Sequence, residues 1–410
     1  MKNLGIKLSL YINYFVFAIL LNSVGIVIAK SINVYQVSES QASVLEAFKD
    51  LPIAIVSFFV ASFLPRFGYK KAMLVALALV FFGCLYMVYG NTFLHTKVLF
   101  LCVGVSFALI KLSVYSLIGV LTNSKKEHSS FMSSIEGFFM IGIALAYFLF
   151  PVFYSDENPN AWLNVYYLLA GLIAISFLFL LFSKVNYQEE SAGENFISDI
   201  KNSFKLIIIP LVLFFLGSAF FFVMIEQGIM TWLPRFNEKI FKFSDTLSVQ
   251  MASILALTLA AGRFIAGYIT KKISWLYIVL GCIIISATIL LGVLPQLKEN
   301  VLAVSQIEKL SDVPMLGFIL PLIGLFIAPI YPLLNSIVLS SLPKSLHSPM
   351  SGLIIIFSAL GGTLGSRIVG ELFESIGGAK AFYFLLIPMF LLMVLVVIID
   401  RLSKNSKVVV

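Results

Sequence analysis

Among the ionisable residues inside apolar stretches of this chain, seven are informative: Lys49, Asp50, Lys111, Glu136, Glu226, Arg263 and Arg367. At the centre of a bilayer such a group costs roughly 2.5–3.5 kcal/mol on insertion scales, and it faces a partner or a water-filled path. Lys111 is the sharpest case, in the middle of the run Phe107-Ala108-Leu109-Ile110-Lys111-Leu112-Ser113-Val114-Tyr115. Its four-carbon stem does not reach a headgroup from there. It is either a cavity cation, binding an anionic or polar solute or pairing with a proton-carrying carboxylate, or half of a fixed structural ion pair. Glu226 follows Phe220, Phe221 and Phe222 and precedes Gln227 and Gly228. Apolar surroundings disfavour a carboxyl's charged form, so Glu226 suits a proton carrier; the plainer reading is a neutral glutamate hydrogen-bonded between helices.

The remaining charges divide in the same way. Glu136, in Ser133-Ser134-Ile135-Glu136-Gly137, reads as a gating or structural group paired with Lys111 or with a basic residue at the inner mouth. Lys49 and Asp50 are neighbours, about 100° apart on a helix, and are expected on different faces. A local Glu46–Lys49 pair then competes with a reading in which Asp50 faces the cavity and handles protons. Arg263 reads as a gate or an ion pair with a neighbouring helix, and Arg367 as an i, i+4 pair with Glu371. Polar and aromatic side chains supply the rest: sugar rings stack on aromatic faces, and their hydroxyls need donors and acceptors in a mostly apolar cleft. Asn22, Tyr115, Gln227, Trp232, Tyr331 and Asn335 are candidates for that role. Most of the 39 phenylalanines serve packing or face lipid.

The elements that must position these groups are membrane helices. Of the 410 residues, 60% are hydrophobic and 12% charged, about half the charge of a soluble domain. A hydrocarbon core needs about 20 apolar residues per helix. Twelve such runs fall near 8–30, 44–64, 72–90, 97–121, 130–153, 162–183, 205–234, 246–270, 273–294, 314–341, 347–372 and 379–400. With the N-terminus inside, the inner segments hold sixteen basic residues and the outer ones eight. This bias predicts both termini in the cytoplasm, and it accounts for the net charge of +8 without invoking nucleic acid. A polar stretch separates six spans from six, which predicts an N-terminal bundle at 1–183, a cytoplasmic linker at 184–204 and a C-terminal bundle at 205–410. A second polar segment, Pro295–Pro314, lies on the outer side and is a place for a short surface helix. Gly361, Gly362 and Gly365 read as small residues that let helices approach closely.

The three cysteines lie far apart within apolar runs, without ligand spacing, and no metal or cofactor is expected. No histidine or cysteine stands beside a membrane carboxylate, and no glycine-rich loop leads to a Lys-Ser or Lys-Thr pair, so an enzyme is not indicated. The first apolar run has the length of a span, with no cleavage site after it, and is not read as a signal peptide.

Several short motifs carry a resemblance. The loop Pro65-Arg66-Phe67-Gly68-Tyr69-Lys70-Lys71 and its counterpart Gly267-Tyr268-Ile269-Thr270-Lys271-Lys272 stand at matching positions of the two halves. Further motifs are Glu226-Gln227-Gly228-Ile229-Met230-Thr231-Trp232-Leu233, Gly262-Arg263-Phe264-Ile265-Ala266-Gly267, Gly324-Leu325-Phe326, Tyr331-Pro332 and Ser351-Gly352-Leu353. With these the whole chain resembles major facilitator transporters, in particular the group of the fucose permease and the glucose/galactose–proton symporters. The resemblance implies an all-α membrane protein with twelve transmembrane helices in two six-helix bundles, the major facilitator fold. It also implies a solute site near the midplane and rocking of 1–183 against 205–410. Arg66, Gly68 and Lys71 match the signature between spans two and three, which gives Arg66 a gating or ion-pairing role, but the usual acidic residue is replaced near Pro65. The acidic residues that the group carries in spans one and four fall here at Ser23 and Lys111, so its proton-coupling residues do not carry over.

The expectation is a secondary active transporter of the plasma membrane (a bacterial inner membrane). Its partners are a small polar solute of sugar or sugar-like type, protons and the lipid bilayer, and it works as a monomer. Glu226, with Asp50, is the expected proton-coupling group. A drug or amphiphile exporter, and an organic-anion exchanger in which Lys111 and Arg263 hold the charge, are the alternatives on the same fold.

Overall fold

The computed structural model describes residues 4–60, 64–122, 125–183, 205–270, 272–297, 306–340 and 347–405. In a hydrocarbon core no water satisfies the backbone, so each apolar run closes its own hydrogen bonds as a helix. In chain order the first helices are α1 (Leu4–Asn22), α2 (Val24–Tyr35), α3 (Glu39–Ala42), α4 (Val44–Val60), α5 (Leu64–Phe67), α6 (Tyr69–Gly90), α7 (Phe93–Leu121), α8 (Lys125–Leu149) and α9 (Val165–Phe182). They are followed by α10 (Pro210–Ile240), α11 (Asp245–Ile269), α12 (Trp275–Val293), α13 (Met315–Ile319), α14 (Ile323–Ile327), α15 (Ile330–Ser340), α16 (His347–Ile376), α17 (Gly378–Tyr383) and α18 (Leu386–Asn405). Among the described residues the one β-type pairing is the isolated bridge Phe243–Ile307.

Among the described residues, eleven stretches are long and apolar enough to cross a membrane. The expected span at 44–64 is α4, only 17 residues long, with Glu46, Lys49, Asp50 and Pro52 in its first half. Three of the expected spans are divided between separate α-helices, the twelfth, 379–400, between α17 and α18. The first divides into α1 and α2 at Ser23, where the Asn22 amide donates to the Ala18 carbonyl at 2.8 Å and the Ser23 hydroxyl to the Leu20 carbonyl at 2.9 Å. Such side-chain bonds to the preceding turn slacken the helical ladder. The tenth is a chain of short helices, α13 to α15, interrupted by Pro321 and Pro329. Proline supplies no backbone N–H, and Thr258 donates to the Pro321 carbonyl at 2.9 Å. Of the segment 295–314, residues 298–305 lie outside the described residues; Leu310–Asp312 forms a single 3-10 turn.

The chain forms two compact units. One comprises Met1–Val37 and Leu45–Phe196, the other Ser38–Val44 and Ile197–Val410. The expected linker, 184–204, lies outside the described residues. In the first unit α1 packs on α8 and α9, and α6 packs on α7 and α9. A buried polar knot ties α1 to α9: Ser9 donates to the Ser176 carbonyl at 3.0 Å, and Ser176 donates to Asn13 Oδ1 at 2.7 Å. In the second unit α10 packs along α16 and α18. Gly361 and Gly365 permit that approach. A Cβ at Gly361 would stand 2.1 Å from the Phe220 carbonyl oxygen, and one at Gly365 2.4 Å from that of Met224.

Candidate functional site

In the first unit, Phe107, Lys111 and Tyr115 recur every fourth residue and share one face of α7. That face carries a polar-aromatic cluster. The Lys111 ammonium lies 5.8 Å from the Phe107 ring centre and 5.9 Å from that of Tyr115. Tyr14 of α1 and Phe139 of α8 meet the same rings: Tyr14 is 6.4 Å from Phe107 and 6.3 Å from Tyr115, and Phe139 is 6.0 Å from Phe107. The Tyr115 hydroxyl donates to Glu136 Oε1 at 2.8 Å. Glu136 is therefore held by Tyr115. It is near enough to influence Lys111 electrostatically but makes no ion pair with it. Lys111 has no ion-pair partner among the described residues, and its contacts are ring faces. Cation–π contacts recover about 0.5–2 kcal/mol, less than the roughly 2.5–3.5 kcal/mol that a central charge costs. The Tyr14 hydroxyl, on a residue 1% exposed, is buried near Tyr115 and is unpartnered among the described residues. Asn22 lies on the same helix as Tyr14, with its amide nitrogen committed to the Ala18 carbonyl.

The charges of α4 form a second cluster in this unit. Glu46, Lys49 and Asp50 are 0%, 4% and 8% exposed. Lys49 makes an ion pair with Glu46, and its ammonium stands 3.4 Å from Asp50 Oδ1. This corrects the expectation that Lys49 and Asp50 occupy separate faces. Their Cα–Cβ bonds do diverge, but the long lysine stem folds its head between both carboxylates. Tyr147 of α8 is the titratable group that faces Glu46 from another helix. With all three groups ionised their charges sum to one negative.

In the second unit, Glu226 of α10 faces Arg263 of α11, Oε1 to Nη2 3.5 Å. The carboxylate is the more enclosed partner, 17% exposed against 40% for the guanidinium side chain. Gly262, beside Arg263, lets α11 close on α14: a Cβ there would meet the Leu325 carbonyl oxygen at 2.4 Å. Tyr331 of α15 stacks on Phe222 at 5.3 Å and shares a 3.2 Å hydrogen bond with Ser358. Asn335, one turn further along α15, has a buried Oδ1 without a hydrogen-bond partner among the described residues. Gln227 follows Glu226 on α10 and is half-buried.

Trp232 does not offer a face to solute. It is fully buried, its Nε1–H donates to the Ser366 carbonyl at 2.9 Å, and its ring stacks on Phe373 at 5.5 Å. Arg367 pairs with Glu371 at 2.7 Å and also donates to the Ser40 carbonyl at 2.6 Å. Glu374 accepts from the Ser40 N–H at 2.9 Å. The Arg66 side chain lies outside the described residues; the next glycine, Gly68, has φ +93°, a conformation that favours glycine.

By sequence Arg235 falls among the eight basic residues of the outer segments. It is 3% exposed and joins Glu39 and Glu238, each at 2.8 Å. The i, i+3 spacing of Arg235 and Glu238 is a sequence signal; Glu39, 196 residues away, has none.

A comparison with protein families matches the Major Facilitator Superfamily over residues 8–366. No curated protein sequence matches the chain. Among solved structures, a bacterial homologue of the human lysosomal transporter Spinster is similar at TM-score 0.70 and 14% identity, covering 98% of this chain and 96% of that one. A D-xylose-proton symporter is similar at TM-score 0.70 and 13% identity over 100% of both chains. The Escherichia coli fucose:proton symporter is similar at TM-score 0.62 and 14% identity, covering 99% of this chain and 100% of that one. At these identities the likeness is one of fold.

Proposed function

The chain belongs to the major facilitator superfamily, and from that premise we propose that it is a proton-coupled transporter of a small polar solute of sugar or sugar-like type. The coarser statement stands on the family itself: this is a multi-pass membrane transporter and not an enzyme. Two of the similar structures are, by their descriptions, proton symporters of sugars, xylose in one and fucose in the other, which supports the finer reading.

The observation that carries the proposal is the enclosed Glu226 carboxylate 3.5 Å from Arg263. When charged, Glu226 holds the guanidinium across α10 and α11. When protonated, it releases it. One proton thereby switches an interhelical contact inside a span, and a symporter needs such a link between proton binding and helix movement. Asp50, in the negatively charged cluster of α4, is the second candidate for proton coupling. Lys111, Tyr115, Asn22, Gln227, Tyr331 and Asn335 are the candidate solute contacts, and Glu136 and Arg367 steady the helices that carry them. We place it in the plasma membrane, bacterial inner membrane by type, and the basic-residue bias supports cytoplasmic termini. We take it to act as a monomer by alternating access.

The test is Glu226→Gln in proteoliposomes. Uptake driven by a pH gradient should be lost, while exchange of internal for external solute should survive. Accumulation at the wild-type rate would remove Glu226 from coupling.

A further inference from the structure

Among the described residues, several basic side chains within the apolar spans have a carboxylate: Lys49 lies between Glu46 and Asp50, Arg235 joins Glu39 and Glu238, Arg263 faces Glu226, and Arg367 pairs with Glu371. Lys111, in the middle of its span, has no carboxylate partner among the described residues and lies over the ring faces of Phe107 and Tyr115. The carboxylate nearest in the fold, Glu136, is bound by the Tyr115 hydroxyl at 2.8 Å.

Lys111 does not escape to a headgroup. The end of α7, Leu121, is ten positions further along, about 15 Å at helical rise, well beyond the reach of its side chain. Phe107 and Tyr115 hold it on the face that meets Tyr14 of α1 and Phe139 of α8. Beside it the Tyr14 hydroxyl is buried and has no hydrogen-bond partner among the described residues. A cation and a hydroxyl donor, both without an acceptor and flanked by aromatic faces, are complementary to an anion attached to a compact polar body.

We propose that Lys111 receives an anionic group of the transported solute, so that the substrate class is a small polyhydroxylated carboxylate rather than a neutral sugar. The carboxylate lies against the Lys111 ammonium and accepts from the Tyr14 hydroxyl, and the polar ring or chain rests on the faces of Phe107, Tyr115 and Phe139. This deepens, and rests on, the reading of the chain as a transporter of small polar solutes. Glu136 and Tyr115 are the other titratable groups at the cluster, and their mutual hydrogen bond leaves the ammonium to the solute.

The test uses the purified full-length protein in detergent. Thermal stability is measured with D-glucuronate, D-galacturonate and D-gluconate, and with D-glucose, D-galactose and D-xylose as neutral controls. The wild type is compared with Lys111→Met, which suits an apolar span, and with Lys111→Arg. At least one carboxylate should stabilise the wild type. Its affinity should fall about 10- to 100-fold in Lys111→Met, the scale of one lost hydrogen bond to a charged group, and be partly retained in Lys111→Arg. The inference is overturned if no carboxylate stabilises the wild type, or if carboxylate binding is unchanged in Lys111→Met.

Uptake into proteoliposomes separates this from the broader reading. Gradient-driven uptake of a neutral sugar that persists in Lys111→Met leaves the transporter reading standing and removes the anion. Carboxylate binding that depends on Lys111, without gradient-driven uptake, keeps the anion site and removes proton coupling.

Discussion

Removing the Lys49 ammonium should be among the most damaging single changes in the first unit. The side chain stands between two carboxylates, Glu46 with no exposure and Asp50 at 8%. Lys49→Met keeps the length and apolar stem of the side chain but removes the ammonium that both carboxylates share. Breaking a buried ion pair by removing one partner costs about 3–5 kcal/mol. For a folding unit of this size that is a fall in Tm of roughly 6–20 °C. The assay is thermal unfolding in detergent at several pH values. Adding Glu46→Gln and Asp50→Asn to Lys49→Met should restore most of the loss. A Lys49→Met protein with wild-type Tm at every pH would refute the reasoning, as would a triple variant no more stable than Lys49→Met alone.

Arg235→Ala should destabilise the second unit by about 3 kcal/mol, because it leaves Glu39 and Glu238 without their shared cation; denaturant or thermal unfolding checks it. Gly365→Val should cost about 1–3 kcal/mol or more, as overpacking does, since its Cβ would stand 2.4 Å from the Met224 carbonyl oxygen; the same unfolding assay reads it. Trp232→Phe should cost about 1 kcal/mol through the lost hydrogen bond to Ser366 while leaving solute affinity unchanged, because the indole is packed away from solute. Single cysteines placed in 295–314 should label from outside intact cells, and those in 184–204 should not; the reverse pattern would invert the topology.

The helical architecture was legible because apolar run length follows directly from bilayer thickness. The breaks were less so. Asn22 and Ser23 loosen the first span through bonds to their own helix, a local effect that hydropathy does not register. The isolated position of Lys111 in an apolar run marked it as costly, but only the fold shows that Glu136 is held by Tyr115 and not by Lys111. The angular argument that separated Lys49 from Asp50 failed because it followed Cβ directions and ignored the reach of a lysine. Trp232 looked like a stacking platform for solute because sugar rings stack on aromatic faces; Phe373 and Ser366, more than 130 residues away, occupy its ring and its N–H. Likewise nothing local announces that Glu39 meets Arg235. These are tertiary pairings at long sequence separation, beyond periodicity and spacing.

Proton movement with the solute tests the central claim most directly. Wild-type protein is reconstituted into lightly buffered liposomes with no pH gradient, and a solute that stabilises the purified protein is added outside. Solute entry should raise the external pH as protons enter with it, and Glu226→Gln should abolish that change while still exchanging solute. Solute uptake by the wild type with no change in external pH would contradict the account.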